Sequence, residues 1–158
     1  MNEELEIVEF QLVKTDSNGK KITSHYGINV DKVREVIRFP ELTEYPKGGE
    51  DVIGVFTSRE KITPLIHLSR LLGLSDYLEP EEQFVIVTDF SGSTYGFLID
   101  SISRIYRIAK DNIEVMDELS DPLESSSIIG AARLEDKLVF ILNIEEIVSS
   151  MTNEMVSN

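Results

Sequence analysis

Apolar and polar residues alternate along much of this chain, and the period of the alternation changes at definable places. "LEIVEFQLV" (5–13) is rich in β-formers and alternates from Ile7 to Val13, which predicts a strand. "TDSNGKK" (15–21) follows with the turn chemistry of Asp16, Asn18 and Gly19, all tolerant of tight backbone geometry. "YGINV" (26–30) and "VREVIRF" (33–39) continue as strands, Pro40 ends the second, and "ELTEYPKGGED" (41–51) is a loop by its Pro46, Gly48 and Gly49. "VIGVFTS" (52–58) and "ITPLIHL" (62–68) form a hairpin turning at Arg59-Glu60-Lys61. With no glycine at position 60, that turn is expected to avoid positive φ there. "LSRLLGL" (68–74) has helical spacing and a stop at Gly73.

Beyond the polar connector "YLEPEEQ" (77–83), the hairpin "FVIVTDF" (84–90) and "STYGFLI" (93–99) turns around Ser91-Gly92-Ser93, and "ISRIYRI" (102–108) pairs further. Residues 109–127 are a long loop with a flexible serine tip at 125–127. A last hairpin spans 128–144, and "IEEIVSSMTNEM" (144–155) is a closing helix that docks or frays. Ten or so short strands and two brief helices make the chain mainly β.

Two blocks recur in the same order. "YGINVDKVREVIRF" (26–39) lies over "YGFLIDSISRIYRI" (95–108), an offset of 69 that aligns Tyr26 with Tyr95, Gly27 with Gly96 and Asp31 with Asp100. "VIGVFTSREKITPLIHL" (52–68) lies over 128–144 at an offset of 76, aligning Gly54 with Gly130 and His67 with Asn143. A repeated pair of blocks argues for a duplicated β unit, and two small five-stranded barrels are its natural packing. The expected domain is 5–150, with a first barrel unit near 5–76, a second near 82–150, and a tail at 151–158. Each unit alone is near the lower size limit for a core, so the two are expected to share one and leave a groove at their junction.

The chain carries 29 acidic against 15 basic residues, a formal charge of −14. Such a surface repels phosphate backbones and anionic lipids, so nucleic acid and membrane insertion are not expected and a basic patch on another protein is. There is no cysteine, hence no disulfide or thiolate site. The acidic N-terminus lacks the order of a signal peptide, no apolar run reaches a bilayer's span, and the expected compartment is the cytoplasm.

Catalytic motifs do not emerge. His25 reads as a surface residue, and His67 with its aligned Asn143 as a shared backbone or turn hydrogen bond. The acidic pairs lack the spacing of a metal or calcium site, and neither a phosphate-binding glycine loop nor a nucleophile elbow is present. No catalytic residue, cofactor or metal is expected. A charged pair stands out: Glu35 lies over Arg104 and Arg59 over Glu135. Pairing of Glu35 with Arg59, and of Arg104 with Glu135, across adjacent strands would place the same contact in both units with its signs exchanged.

The run "YGINVDKVREVIRFPELTEYP…VIGVFTSREKITPLIHLSRLLG", continued by "FVIVTDF", "YGFLID" and "IIGAARLEDKLVFILNIEEI", resembles the CheW family of bacterial chemotaxis over residues 5 to 150. The wording of "TDSNGKK" and "VREVIRFPELTEYP" is closest to the CheW-like domain of CheV proteins. Thr57-Ser58 stands where the family usually has Asn-Leu, and His67 and Asn143 where it often has aspartate.

The resemblance implies two SH3-like barrels and non-catalytic adaptor work in chemotaxis signal transduction. Its partners would be the cytoplasmic tip of a chemoreceptor (a methyl-accepting chemotaxis protein) and the regulatory domain of the kinase CheA. Carried over by position, Val33, Glu35, Val36, Gly54 and Arg59 fall in the receptor-facing part of the pattern, with Val33 and Val36 lining the groove. The kinase would take exposed apolar strand edges, exposed edges also favour weak self-association, and the protein would work in receptor arrays at the inner membrane face. No receiver domain follows residue 150, so the chain reads as a free-standing adaptor or as the first domain of a CheV-type protein. The competing reading is a small-ligand-binding or enzymatic barrel using the inter-barrel groove.

Overall fold

The computed structural model describes residues 3–45, 51–76, 78–115 and 127–156. The loop positions Pro46, Gly48 and Gly49, Ser125 and Ser126 of the serine tip, and the last two residues of the tail lie outside them. In chain order the strands are β1 (Glu4–Thr15), β2 (Lys21–Asn29), β3 (Val33–Arg38), β4 (Val52–Ser58), β5 (Lys61–Ile66), β6 (Phe84–Phe90), β7 (Ser93–Ile99), β8 (Ser101–Ala109), β9 (Ile128–Leu134) and β10 (Lys137–Leu142). Among the described residues, helix α1 (Leu68–Leu71) follows β5 and helix α2 (Ile144–Val156) follows β10. Helix α1 is followed by Gly73 at φ +74°, the left-handed stop that the glycine predicts.

The strands form two five-stranded sheets, ordered β8-β1-β2-β10-β9 and β3-β6-β7-β5-β4. The division at 5–76 and 82–150 is therefore corrected. A sequential split would put β1–β5 in one sheet and β6–β10 in the other, whereas each sheet takes its first two repeat strands from one copy and its last three from the other. The chain accordingly resolves into a central unit (Gln11–Ser24, Asp31–Ile102) and a terminal unit (Met1–Phe10, His25–Val30, Ser103–Asn158).

The exchange is made by two parallel pairings at equivalent positions. In the terminal unit β2 pairs with β10, Gly27 opposite Ile141; in the central unit β7 pairs with β5, Gly96 opposite Leu65. A side chain at either glycine would collide with the core: an added Cβ lies 2.5 Å from Ile7 Cδ1 at Gly27, and 2.9 Å from the Phe56 ring and from Val85 at Gly96. These glycines are conserved between the copies by packing.

Each unit has its own apolar centre. Phe56, Leu65, Val85, Val87 and Leu98 fill the central one, and Ile7, Ile108, Ala132, Val139 and Ile141 the terminal one. The helix starts repeat as well. His67 Nδ1 accepts the Arg70 N–H at 3.3 Å, and Asn143 Oδ1 accepts the Glu146 N–H at 3.3 Å. The backbone N–H of His67 donates to Asp51 and that of Asn143 to Ser127. The shared role expected for this pair is thus that of an N-cap, which needs an acceptor rather than a particular residue.

Candidate partner-binding site

β3 and β4 are the two edges of the central sheet, not neighbours within it. Their side chains nevertheless meet, because the sheet curls back on itself. The Arg34 guanidinium donates to Ser58 Oγ, Ser58 Oγ donates to Glu35 Oε1 at 3.1 Å, and Arg59 Nη2 lies 4.0 Å from Glu35 Oε2. Arg34 also lies 3.6 Å from Asp89 on β6. Glu35 and Arg59 are therefore paired as expected, but across a seam between edge strands rather than within a ladder. In the terminal unit Arg104 pairs with Glu135, and Tyr106 donates to Glu135 at 3.0 Å, again between the edge strands β8 and β9 and the turn beyond.

The turns that carry Arg59 and Glu135 correct a second expectation. Arg59 and Glu60 have φ of +48° and +68°, and Glu135 and Asp136 +50° and +66°. Both central residues are left-handed despite the absence of glycine, because a two-residue connection must match the twist of the strands it joins. The left-handed turn lifts Arg59 out into solvent, its side chain 64% exposed.

The other candidate positions separate into two kinds. Val36, opposite Ile86 in the ladder, is 38% exposed, and Val33, opposite Thr88, is half-buried. Gly54 is buried; a Cβ there would meet Thr43 O at 3.0 Å, where Thr43 and Val55 exchange backbone hydrogen bonds at 2.8 Å. Gly54 thus admits a crossing backbone and presents no surface of its own. Arg34, Ser58 and Asp89 complete the polar seam and were not singled out by pattern; the signal available was Ser58, a hydroxyl where leucine is usual.

His25 is corrected from a surface residue to a partly buried one whose ring faces a buried carboxylate. Glu9 on β1 is fully buried, Lys137 Nζ donates to its two carboxylate oxygens at 3.0 and 2.9 Å, and His25 Nδ1 lies 3.0 Å from Oε2. The hydrogen bond to Glu9 raises the Lys137 ammonium above its ordinary 10.5, against the opposing effect of burial. The group knits β1, β2 and β10 together at the centre of the terminal sheet. Among the described residues no group of three His, Cys, Asp or Glu is placed to hold a metal ion, and no helix is long and apolar enough to cross a membrane.

Comparison with known proteins identifies the family. The family model for the CheW-like domain matches residues 19–151. The chain belongs to the CheW-like family. It is 37% identical to chemotaxis protein CheV3 of Helicobacter pylori over 98% of its own length and 51% of the relative's, so it spans about half of that protein. It is 28% identical to chemotaxis protein CheW of Thermotoga maritima over 80% of this chain and 82% of that one. The scaffolding protein CheW of Thermoanaerobacter tengcongensis has a solved structure with the same fold, at a TM-score of 0.74 and 23% identity over 90% of each chain.

Proposed function

We propose that this CheW-like domain is a non-catalytic chemotaxis adaptor that couples a chemoreceptor's cytoplasmic tip to the regulatory domain of the kinase CheA, as part of a CheV-type protein working at receptor arrays in the cytoplasm. What carries the reading is family membership over most of the chain, joined to an exposed Val36 on β3 and an Arg59 that pairs with the neighbouring Glu35 and stands 64% exposed on a left-handed turn. Val33 and Val36 offer apolar area to a helical partner. Arg59, oriented by Glu35, offers a charge to its carboxylates, and Gly54 leaves room for the Thr43 backbone against β4. Exposed apolar residues at equivalent positions of the two hairpins, Ile62 on β5 at 77% and Leu138 on β10 at 49%, are the kinase-facing surface in this reading, on strands next to the sheet edges rather than at them.

Titration calorimetry tests it, with the chain titrated separately against a chemoreceptor tip and the CheA regulatory domain, alongside Arg59→Ala and Val36→Asp variants shown to be folded. Receptor binding lost in a folded variant supports the placement. A folded wild type that binds neither partner removes the adaptor reading.

A further inference from the structure

The β1–β2 hairpin contributes strand length that no core requires. From Lys14 to Thr23 every residue except Asp16 is exposed, Ile22 included at 43%. An unsupported two-stranded ribbon is marginally stable in water, and this one is held by its turn. Asp16 Oδ1 accepts the N–H groups of Asn18 and Lys20, both at 2.9 Å, while the Asp16 backbone exchanges bonds with Lys20 and Gly19 at 2.9 and 3.0 Å. Gly19 supplies the left-handed residue at φ +81° with nothing within 4 Å of an added Cβ.

The charge of this tip is opposite to that of the molecule. Lys14, Lys20 and Lys21 stand there with Asp16 as the one acid, on a chain of net charge −14. Neither Lys14 nor Lys20 makes an ion pair with a described residue, whereas Lys61's counterpart Lys137 is engaged by Glu9. A hydrogen-bonded turn that exposes Lys14 and Lys20, neither ion-paired with a described residue, together with an apolar Ile22 fits a partner surface that is both anionic and partly apolar.

We propose that the β1–β2 hairpin is a docking finger for a carboxylate-rich segment of another protein. The class of partner follows from charge. A phosphate polymer or an anionic bilayer extends past the tip and meets the repulsion of the remaining surface, whereas a short acidic segment engages the tip alone within a Debye length of about 8 Å. Ile22 adds an apolar contact that protein side chains can use. The inference stands apart from the adaptor reading, since it draws on none of the residues assigned there.

The test uses the whole chain and a poly-L-glutamate peptide of about 20 residues, followed by amide chemical shifts and calorimetry at increasing salt. Shifts centred on residues 14–23 are expected, with affinity falling at least about tenfold as salt rises from roughly 0.1 to 1 M and the Debye length shrinks from about 10 to 3 Å. Lys14→Gln/Lys20→Gln removes two positive charges, and Arg133→Glu makes the same net change at an exposed site elsewhere. The first should weaken binding at least about fivefold and the second should leave it unchanged. Equal weakening in both, or shifts away from the hairpin, overturns the proposal. So does tighter binding to an oligothymidylate of equal charge or to phosphatidylserine vesicles, which would assign the finger to phosphate.

Discussion

Replacing Gly130 by alanine should destabilise this domain far more than a strand glycine ordinarily does. Alanine in a strand is normally favoured over glycine, and through the unfolded chain alone the change would stabilise by roughly 0.4–1 kcal/mol. The structure opposes it. A Cβ at Gly130 lies 2.5 Å from the carbonyl oxygen of Glu114 and 2.8 Å from Ile113 Cγ2. That carbonyl belongs to backbone which cannot swing away freely: Glu114 and Ala131 exchange hydrogen bonds at 2.8 and 2.9 Å, and the Ile113 N–H is bound to Lys110 at 3.1 Å.

Relieving the contact stretches or breaks the Glu114 bridge, and each bond lost costs about 1 kcal/mol. Overpacking against Ile113 adds about 1–3 kcal/mol. After the offsetting entropy the expected loss is about 2–3 kcal/mol, which for a domain of this size is a fall in Tm of roughly 4–12 °C. Urea unfolding followed by far-UV circular dichroism measures it, with an unchanged m-value required for a clean comparison. Gly54→Ala is the internal control, because its nearest backbone oxygen, Thr43 O, lies at 3.0 Å and can give by a few tenths of an ångström at about 1 kcal/mol. Stability of Gly130→Ala within about 0.5 kcal/mol of wild type, or a larger loss at Gly54 than at Gly130, would refute the argument that the crossing backbone selects these glycines.

Other outcomes follow from the same structure. The stabilising contribution of Lys137, whose pKa is raised by its bond to Glu9, is fully present below the unfolded value of 10.5 and lost as pH rises through the higher folded value. The difference in urea midpoint between wild type and Lys137→Met should therefore stay constant from neutral pH to about 10 and shrink above it; a difference that grows with alkalinity would contradict the assignment. Asn143→Ala removes the cap of α2 and should cost about 1 kcal/mol in urea unfolding, with Asn143→Asp restoring most of it. A full effect in the aspartate variant would show that the cap is not the cause. Arg59→Glu breaks an exposed pair and should change stability by less than about 1 kcal/mol. Receptor binding lost in that variant without loss of stability is the pattern expected of a surface residue, and a large drop in Tm would mean that the seam is structural.

The sequence by itself determined the elements and their duplication. Alternation at period two, Pro40 and Gly73 as stops, and the twin Tyr-Gly blocks identify strands because they reflect the local pleat and one buried face, which neighbouring residues encode. His67 and Asn143 were legible as a pair for the same reason, since a cap joins residues three apart. The Glu35–Arg59 pair could also be found, because duplication displayed it twice, whereas Val36 was reached only through the family resemblance.

Only the tertiary structure decided how the strands assort. The two copies carry nearly interchangeable patterns, so nothing local says whether β2 is completed by strands of its own copy or of the other. That choice rests on partners such as Tyr26 and Phe140, more than a hundred residues apart. The curl that brings the edge strands β3 and β4 together, and with it the Arg34–Ser58–Glu35 seam, is equally non-local. So is the burial of Glu9: in sequence it is one polar residue in an alternating strand, and it lies in the interior because Lys137 and His25, carried by two other strands, converge on its carboxylate and offset the cost of removing that charge from water.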